Sequence, residues 1–219
     1  MCEPLLAGMD ARAAFDRLLA DGIAMTSVNE AVFERLAFGG RAEGLVVVVR
    51  RPSTALGDLV LAPDPLLVVI EGVEKPGNVG AVMRSADGAG VDGVIAASPA
   101  TDLFNPNAIR ASSGTLFGLP LAAAPTDEVV SWLRAQGIRI VTARLDAEQD
   151  YTDADLTGPL AIVLGAESDG LTTAWTGVDV SPVRIPMAGA ADSLNVSIAA
   201  AVLAYEARRQ RRSQGSPHA

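Results

Sequence analysis

The sequence predicts an α/β domain: a mostly parallel β-sheet with helices on both faces. Three observations predict it. Beyond residue 65, short aliphatic runs alternate with amphipathic stretches of helical length. The runs are apolar throughout instead of alternating with polar residues, as strands buried on both faces are. The composition is 49% hydrophobic but only 4% aromatic, so aliphatic side chains and alanine must build the core. With 219 residues the chain has room for one large or two small domains.

The first stretch differs from the rest. Residues 11–21 have helical spacing, with Phe15, Leu18 and Leu19 on one side and Gly22 ending the segment. Residues 23–26 read as a short strand. Ser27 and Glu30 form the capping-box pattern for a helix over 28–36. Residues 45–49 (LVVVV) read as a buried strand. The run Leu61-Ala62-Pro63-Asp64-Pro65 reads as a linker. Residues 1–62 are therefore expected as a small, incomplete unit, 66–212 as the main domain, and 213–219 as a disordered tail. In the main domain, strands are expected at 66–71, 93–97, 138–143, 160–164 and 183–185. Helices are expected at 79–88, 106–112, 127–136 and 193–212.

Composition excludes several chemistries. One cysteine, Cys2, rules out a disulfide framework and a thiolate zinc site. One histidine, His218, rules out a histidine-based metal site and a Ser-His-Asp triad, so no metal is expected. No apolar run reaches the roughly 18 residues that span a bilayer. No charged start followed by a long apolar stretch suggests a signal peptide. A cytoplasmic protein with no membrane partner is the expectation. The net charge of −9 is not that of a nonspecific nucleic-acid binder. Residues 63–204 carry seven basic against seventeen acidic groups, whereas 205–219 carry four arginines against Glu206.

One motif is a decoy. Residues 88–93 (GAGVDG) fit G-x-G-x-x-G, but they follow a helix and precede a strand, the reverse of a dinucleotide fingerprint. They read as a helix C-cap and a tight turn.

Three other segments carry polar chemistry at the expected ends of strands. In 71–86 (EGVEKPGNVGAVMRSA) a strand ends, a Pro-Gly turn follows, and Asn78 is placed to cap a helix that carries Arg84. Gly80 in that helix lets another backbone approach closely. In 161–171 (AIVLGAESDGL) an apolar strand runs into a loop bearing Gly165, Glu167 and Gly170. In 185–202 (IPMAGAADSLNVSIAAAV) a small-residue loop leads through Ser193-Leu194-Asn195 into an alanine-rich helix. Each segment alone also reads as a capped turn or a tightly packed helix start.

Together, in order and spacing, the three resemble the signature motifs of the SpoU-type RNA ribose methyltransferases of the SPOUT superfamily. The connecting 105–114 (NPNAIRASSG) is similar to the family as well, and the resemblance spans residues 66–207. It implies a C-terminal deep trefoil knot holding S-adenosyl-L-methionine, and a homodimer with its site at the subunit interface. The ligand would be RNA, with ribosomal RNA favoured over transfer RNA. A noncatalytic RNA-binding or assembly protein that keeps the knot is the alternative. By matching position, Leu164, Gly165, Glu167, Gly170, Ile185, Met187, Ser193, Leu194 and Asn195 would hold the cofactor. Leu164, Ile185, Met187 and Leu194 would flank its adenine. Arg84 would be the catalytic arginine, as base or as phosphate clamp. Asn78 and Asn195 would orient groups around the ribose hydroxyl, Ser193 would bond the cofactor or Arg84, and Glu167 would hold its own loop or Asn78. The front stretch resembles the latter part of the family's ribosomal-protein-like substrate-binding domain.

Overall fold

The computed structural model describes residues 1–40, 43–166 and 169–214. They form two compact units, Met1–Arg51 and Pro52–Ala219.

The first unit holds two helices, α1 (Met9–Ala20) and α2 (Glu30–Leu36). Its buried apolar side chains among the described residues are Cys2, Leu6 and Phe33. Gly44, at φ +78°, lies so close to the Leu5–Leu6 backbone that a Cβ would collide with it. The strands expected at 23–26 and 45–49 are not formed. No strand among the described residues of this unit is there to pair with them, and Val48 is 94% exposed. The capping box is not used either. Asn29 caps α2, its side chain accepting from the Val32 N–H, while the Val28 N–H donates to the Met1 carbonyl.

The second unit is built on six parallel strands: β1 (Leu66–Glu71), β2 (Gly93–Ala97), β3 (Leu121–Ala124), β4 (Arg139–Ala143), β5 (Leu160–Leu164) and β6 (Val180–Val183). Their order is β3-β2-β1-β5-β4-β6. All residues of β1, β2 and β5 are buried, as strands covered on both faces must be. The helices are α3 (Pro76–Ala89), α4 (Pro106–Ala111), α5 (Thr126–Ala135) and α6 (Val196–Gln214). On one face Val68 and Ile70 pack with Val79, Val82 and Met83 of α3 and Leu203 of α6. On the other, Leu67 and Val69 pack with Val129 and Leu133 of α5 and with Trp175. Residues 52–62 belong to this unit. The Ala123 N–H donates to the Thr54 carbonyl at the β3 edge, and Leu56, Leu59 and Leu61 pack against the α5-side core.

Three differences from the sequence reading have local causes. The strand β3 (LAAA) is nearly all alanine and carries no β-branched signal. The last strand is β6, displaced from 183–185. It contains Pro182, which an edge strand tolerates because one side of its backbone needs no partner. Helix α3 starts at Pro76, whose fixed φ suits a first helical position, so Asn78 lies within the first turn instead of capping it. The G-x-G-x-x-G stretch is the end of α3, with Gly90 as left-handed C-cap (φ 71°), and the start of β2. Helix α6 includes Ser213 and Gln214, and residues 215–219 lie outside the described residues.

Candidate functional site

The carboxyl ends of β1 and β5 are where strand order reverses, the position at which open α/β sheets take ligands. Two clefts open there. The smaller, about 90 Å³, is lined by Glu71, Glu74, Lys75 and Asn78 from the β1–α3 turn and by Gly165, Ala166 and Val196. The larger, about 380 Å³, lies beyond β5 towards β4 and β6. That volume is in the range of sites for drug-sized ligands. Its apolar wall includes Leu164, Ile185, Met187 and Leu194; Gly165, Gly170 and Ser193 also line it. Gly165, Ala166 and Val196 line both clefts, so the two are neighbours across one loop and one helix start.

Glycine is required at 165 for a specific reason. A Cβ there would overlap the Gly170 carbonyl and the Leu171 amide. The loop folds back on itself, its Gly170 N–H donating to the Ala166 carbonyl at 3.0 Å, with Gly170 left-handed at φ 66°. Gly80 likewise lets α4 press against α3, since a Cβ would overlap the Ala108 carbonyl.

Asn195 sits just before α6. Its Oδ1 accepts from the Ser197 N–H at 3.0 Å and the Ser197 hydroxyl at 2.6 Å, which is the bonding of an N-cap. Its Nδ2 donates to Asn78 Oδ1 at 3.2 Å. The first and third segments thus meet side chain to side chain. Ser193 faces the larger cleft and Asn195 lies beside it rather than on its wall. Arg84 is exposed on α3 and lines neither cleft. Glu167 lies outside the described residues.

Several lining residues escaped the sequence reading: Ala143 at the end of β4, Arg144 and Leu145 just beyond it, and Ala199 of α6. Only the parallel pairing of β4 beside β5 brings the former three there. Glu71 also escaped it. This carboxylate is 3% exposed and accepts from the Thr126 hydroxyl, the Thr172 hydroxyl and the Thr172 N–H, each at 2.8 Å.

The tail arginines divide. Arg209 pairs with Glu206 at 2.7 Å, which holds that carboxyl below its usual range. Arg211 donates to the carbonyls of Asp64, Pro65 and Gly158 and has a largely buried side chain. Both serve the fold. Among the described residues, no group of three or more His, Cys, Asp or Glu is placed to hold a metal, and no helix is long and apolar enough to cross a membrane.

A doubly covered parallel sheet with a glycine-looped cleft at its switch point defines the class: an α/β protein with a ligand-sized cleft where such sheets take ligands. The comparisons give the family. Residues 65–205 match the SpoU rRNA Methylase family. The 23S rRNA (uridine(2479)-2′-O)-methyltransferase of Streptomyces viridochromogenes is 40% identical over 76% of this chain and 60% of its own length. The 23S rRNA (guanosine-2′-O-)-methyltransferase RlmB of Vibrio vulnificus is 34% identical over 87% of this chain and 79% of its own. Among solved structures, the SpoU methyltransferase AviRb from S. viridochromogenes in complex with AdoMet superposes with a TM-score of 0.80 at 34% identity, covering 91% of this chain and 78% of that one. The chain belongs to the SpoU rRNA methylase family, a class of AdoMet-dependent RNA ribose 2′-O-methyltransferases.

Proposed function

We propose that this protein transfers a methyl group from S-adenosylmethionine to a ribose 2′-hydroxyl of 23S ribosomal RNA. The observation that carries the reading is the junction of the two clefts: a small pocket bearing Glu74, Lys75 and Asn78 and a larger cleft bearing Leu164, Ile185, Met187 and Leu194 share Gly165, Ala166 and Val196. The curated relatives act on 23S rRNA by name, which favours ribosomal over transfer RNA.

The larger cleft suits the cofactor chemically. Leu164, Ile185, Met187 and Leu194 offer an apolar slot for adenine. Gly165 and Gly170 leave backbone groups near the wall, and Ser193 adds a hydroxyl. When bound, S-adenosylmethionine supplies an electrophilic methyl on a sulfonium and needs no metal. The protein's task is the acceptor, a hydroxyl that is almost fully protonated at neutral pH. Asn78, which lines the smaller pocket, orients that hydroxyl, and Asn195 holds Asn78 through its side-chain amide. Arg84 binds the adjoining phosphate and stabilises alkoxide character on the oxygen as its proton leaves to water. A guanidinium stays protonated in proteins and is a poor base, so the clamp role is the better chemistry. Glu167 holds its own loop or Asn78.

Since Arg84 lines neither cleft of its own protomer, the reading includes a homodimer in which it serves the interface site. Exposed Ile198 and Tyr205, seven residues apart on α6, give an apolar stripe suited to that packing. A C-terminal knot is part of the same reading. It is supported by β5 inserted between β1 and β4, and by the chain returning from edge strand β6 to set Val196 against both clefts. The first unit is read as a partial substrate-binding domain, with Arg50 and Arg51 offered to RNA phosphates alongside Arg110 of the second unit. The protein is assigned to the cytoplasm, where ribosomal RNA is found.

The test is calorimetric binding of S-adenosylmethionine together with tritiated-methyl transfer to purified rRNA and tRNA. Stoichiometric cofactor binding and rRNA labelling resistant to alkali at one nucleotide are expected. Absence of cofactor binding to the folded protein, or labelling confined to tRNA, overturns the assignment.

A further inference from the structure

The last residue of β1, Glu71, lies almost wholly out of solvent, and no cation neutralises it among the described residues. Burying a carboxylate is costly unless its lone pairs are met. Here hydroxyls and one amide meet them: Oε1 accepts from Thr126 and Thr172, and Oε2 accepts from the Thr172 N–H. Thr126 in turn is tied to Ser98, its N–H donating to the Ser98 hydroxyl at 3.0 Å. Two of the three bonds to Glu71 come from Thr172, which is 101 positions away in sequence.

Thr172 lies two residues beyond Gly170. The loop that lines both clefts closes at a neck where Gly165 packs on the Gly170–Leu171 backbone. Thr172 is therefore the first polar side chain after that neck, and Glu71 is what it is fastened to. The same Glu71 lines the smaller cleft at the root of the turn that leads to Asn78. One carboxylate thus joins the start of the acceptor-side turn to the exit of the cofactor-side loop. A structural filler at this point could be apolar, because replacing buried ionic groups by apolar ones of similar volume is often neutral or stabilising. A group with two acceptor oxygens is needed only if Thr172 must be held by both its amide and its hydroxyl.

We propose that Glu71 and Thr172 form a latch that positions the Gly165 and Gly170–Leu171 backbone for the cofactor, making both of them positioning residues. This rests on the larger cleft being the cofactor site. Thr126 supplies the internal control. It also gives one hydroxyl bond to Glu71 Oε1, but from α5, and its other hydrogen bonds go to Ser98, so it braces the same carboxylate without bonding to the loop.

The experiment compares Thr172→Val, Thr172→Ser and Thr126→Val in the full chain, by melting temperature and by calorimetric affinity for S-adenosylmethionine. Thr172→Val is expected to weaken the affinity about tenfold, and Thr172→Ser, which keeps both donors, to restore it to within twofold of the parent. Thr126→Val is expected to lower the melting temperature by a similar amount to Thr172→Val while leaving affinity within twofold. The latch is overturned if Thr172→Val binds as the parent does, if Thr172→Ser fails to rescue, or if Thr126→Val weakens binding equally. Leu194→Trp, which fills the larger cleft, separates this from the underlying assignment. If it leaves affinity unchanged, the cleft is not the cofactor site; if it abolishes binding while Thr172→Val does not weaken it, only the latch fails.

Discussion

The side-chain amide of Asn195 donates to Asn78 Oδ1 at 3.2 Å, joining two segments 117 residues apart. The same Asn195 caps α6 through Ser197. One residue therefore performs two separable tasks. A cap oxygen lost to alanine costs about 1 kcal/mol, which is a few degrees in melting temperature for a domain of this size. Asn195→Ala is expected to show that loss together with a methyl-transfer rate at least tenfold lower. Asn195→Asp keeps the cap acceptor but cannot donate to Asn78. It should melt close to the parent and still turn over slowly. Parent-like turnover by Asn195→Asp would show that the link to Asn78 plays no part in the reaction.

Arg84 stands six residues beyond Asn78, about 9 Å along the helix axis, and is exposed. If it clamps phosphate and steadies the alkoxide, Arg84→Ala leaves S-adenosylmethionine affinity within twofold and cuts turnover by about a hundredfold or more, the usual scale for a lost oxyanion partner. Arg84→Lys retains charge without the planar fork and should recover only part of the rate. Unchanged methylation by Arg84→Ala would remove it from the mechanism.

Much of this was legible in the sequence, and the exceptions share a physical origin. Strands β1, β2 and β5 are aliphatic throughout, so their limits can be read directly. The alanines of β3 and Pro182 of β6 carry no strand signal; pairing with a neighbour makes them strands. The valines at 46–49 show the converse, a strong strand pattern that forms no strand. In the structure, Leu164, Gly165, Gly170, Ile185, Met187, Ser193 and Leu194 all line the larger cleft. Arg144 and Glu71 escaped notice because their places depend on strand order and on a threonine far away in the chain. A local pattern carries neither.

Gly165 offers a test of the loop's shape. A methyl at this position must displace the Gly170 carbonyl or the Leu171 amide, both backbone groups with little room to yield. Overpacking of this kind typically costs about 1–3 kcal/mol. Gly165→Ala should therefore lower the melting temperature and, because the displaced atoms belong to the cofactor-side loop, weaken S-adenosylmethionine binding. Gly77→Ala is the control: outside its chain neighbours and its own helix backbone no atom lies within 4 Å of a Cβ there, so the affinity should not move and the melting temperature should hold or rise, as for Gly→Ala in a helix.

Acid stability follows from three carboxyls held below their usual range. Glu206 is lowered chiefly by its hydrogen bond to Arg209, Asp179 by its hydrogen bond to Arg134, and Asp155 by the hydroxyl and amide of Thr157. A carboxyl that ionises more readily folded than unfolded stabilises the fold above its unfolded pKa, near 4, and loses that contribution as pH falls through the folded value. The melting temperature should therefore be flat from neutrality down to about pH 5 and fall below that. The Arg134–Asp179 pair is well exposed, and such pairs contribute little once screened by water and salt. The Glu206 side chain is much less exposed, so Arg209→Ala should be the more visible change. It should raise the Glu206 carboxyl pKa in a carbon-detected NMR titration and make the acid limb of the melting curve shallower. A Glu206 titration unmoved by Arg209→Ala would leave the Arg209 hydrogen bond without the effect assigned to it.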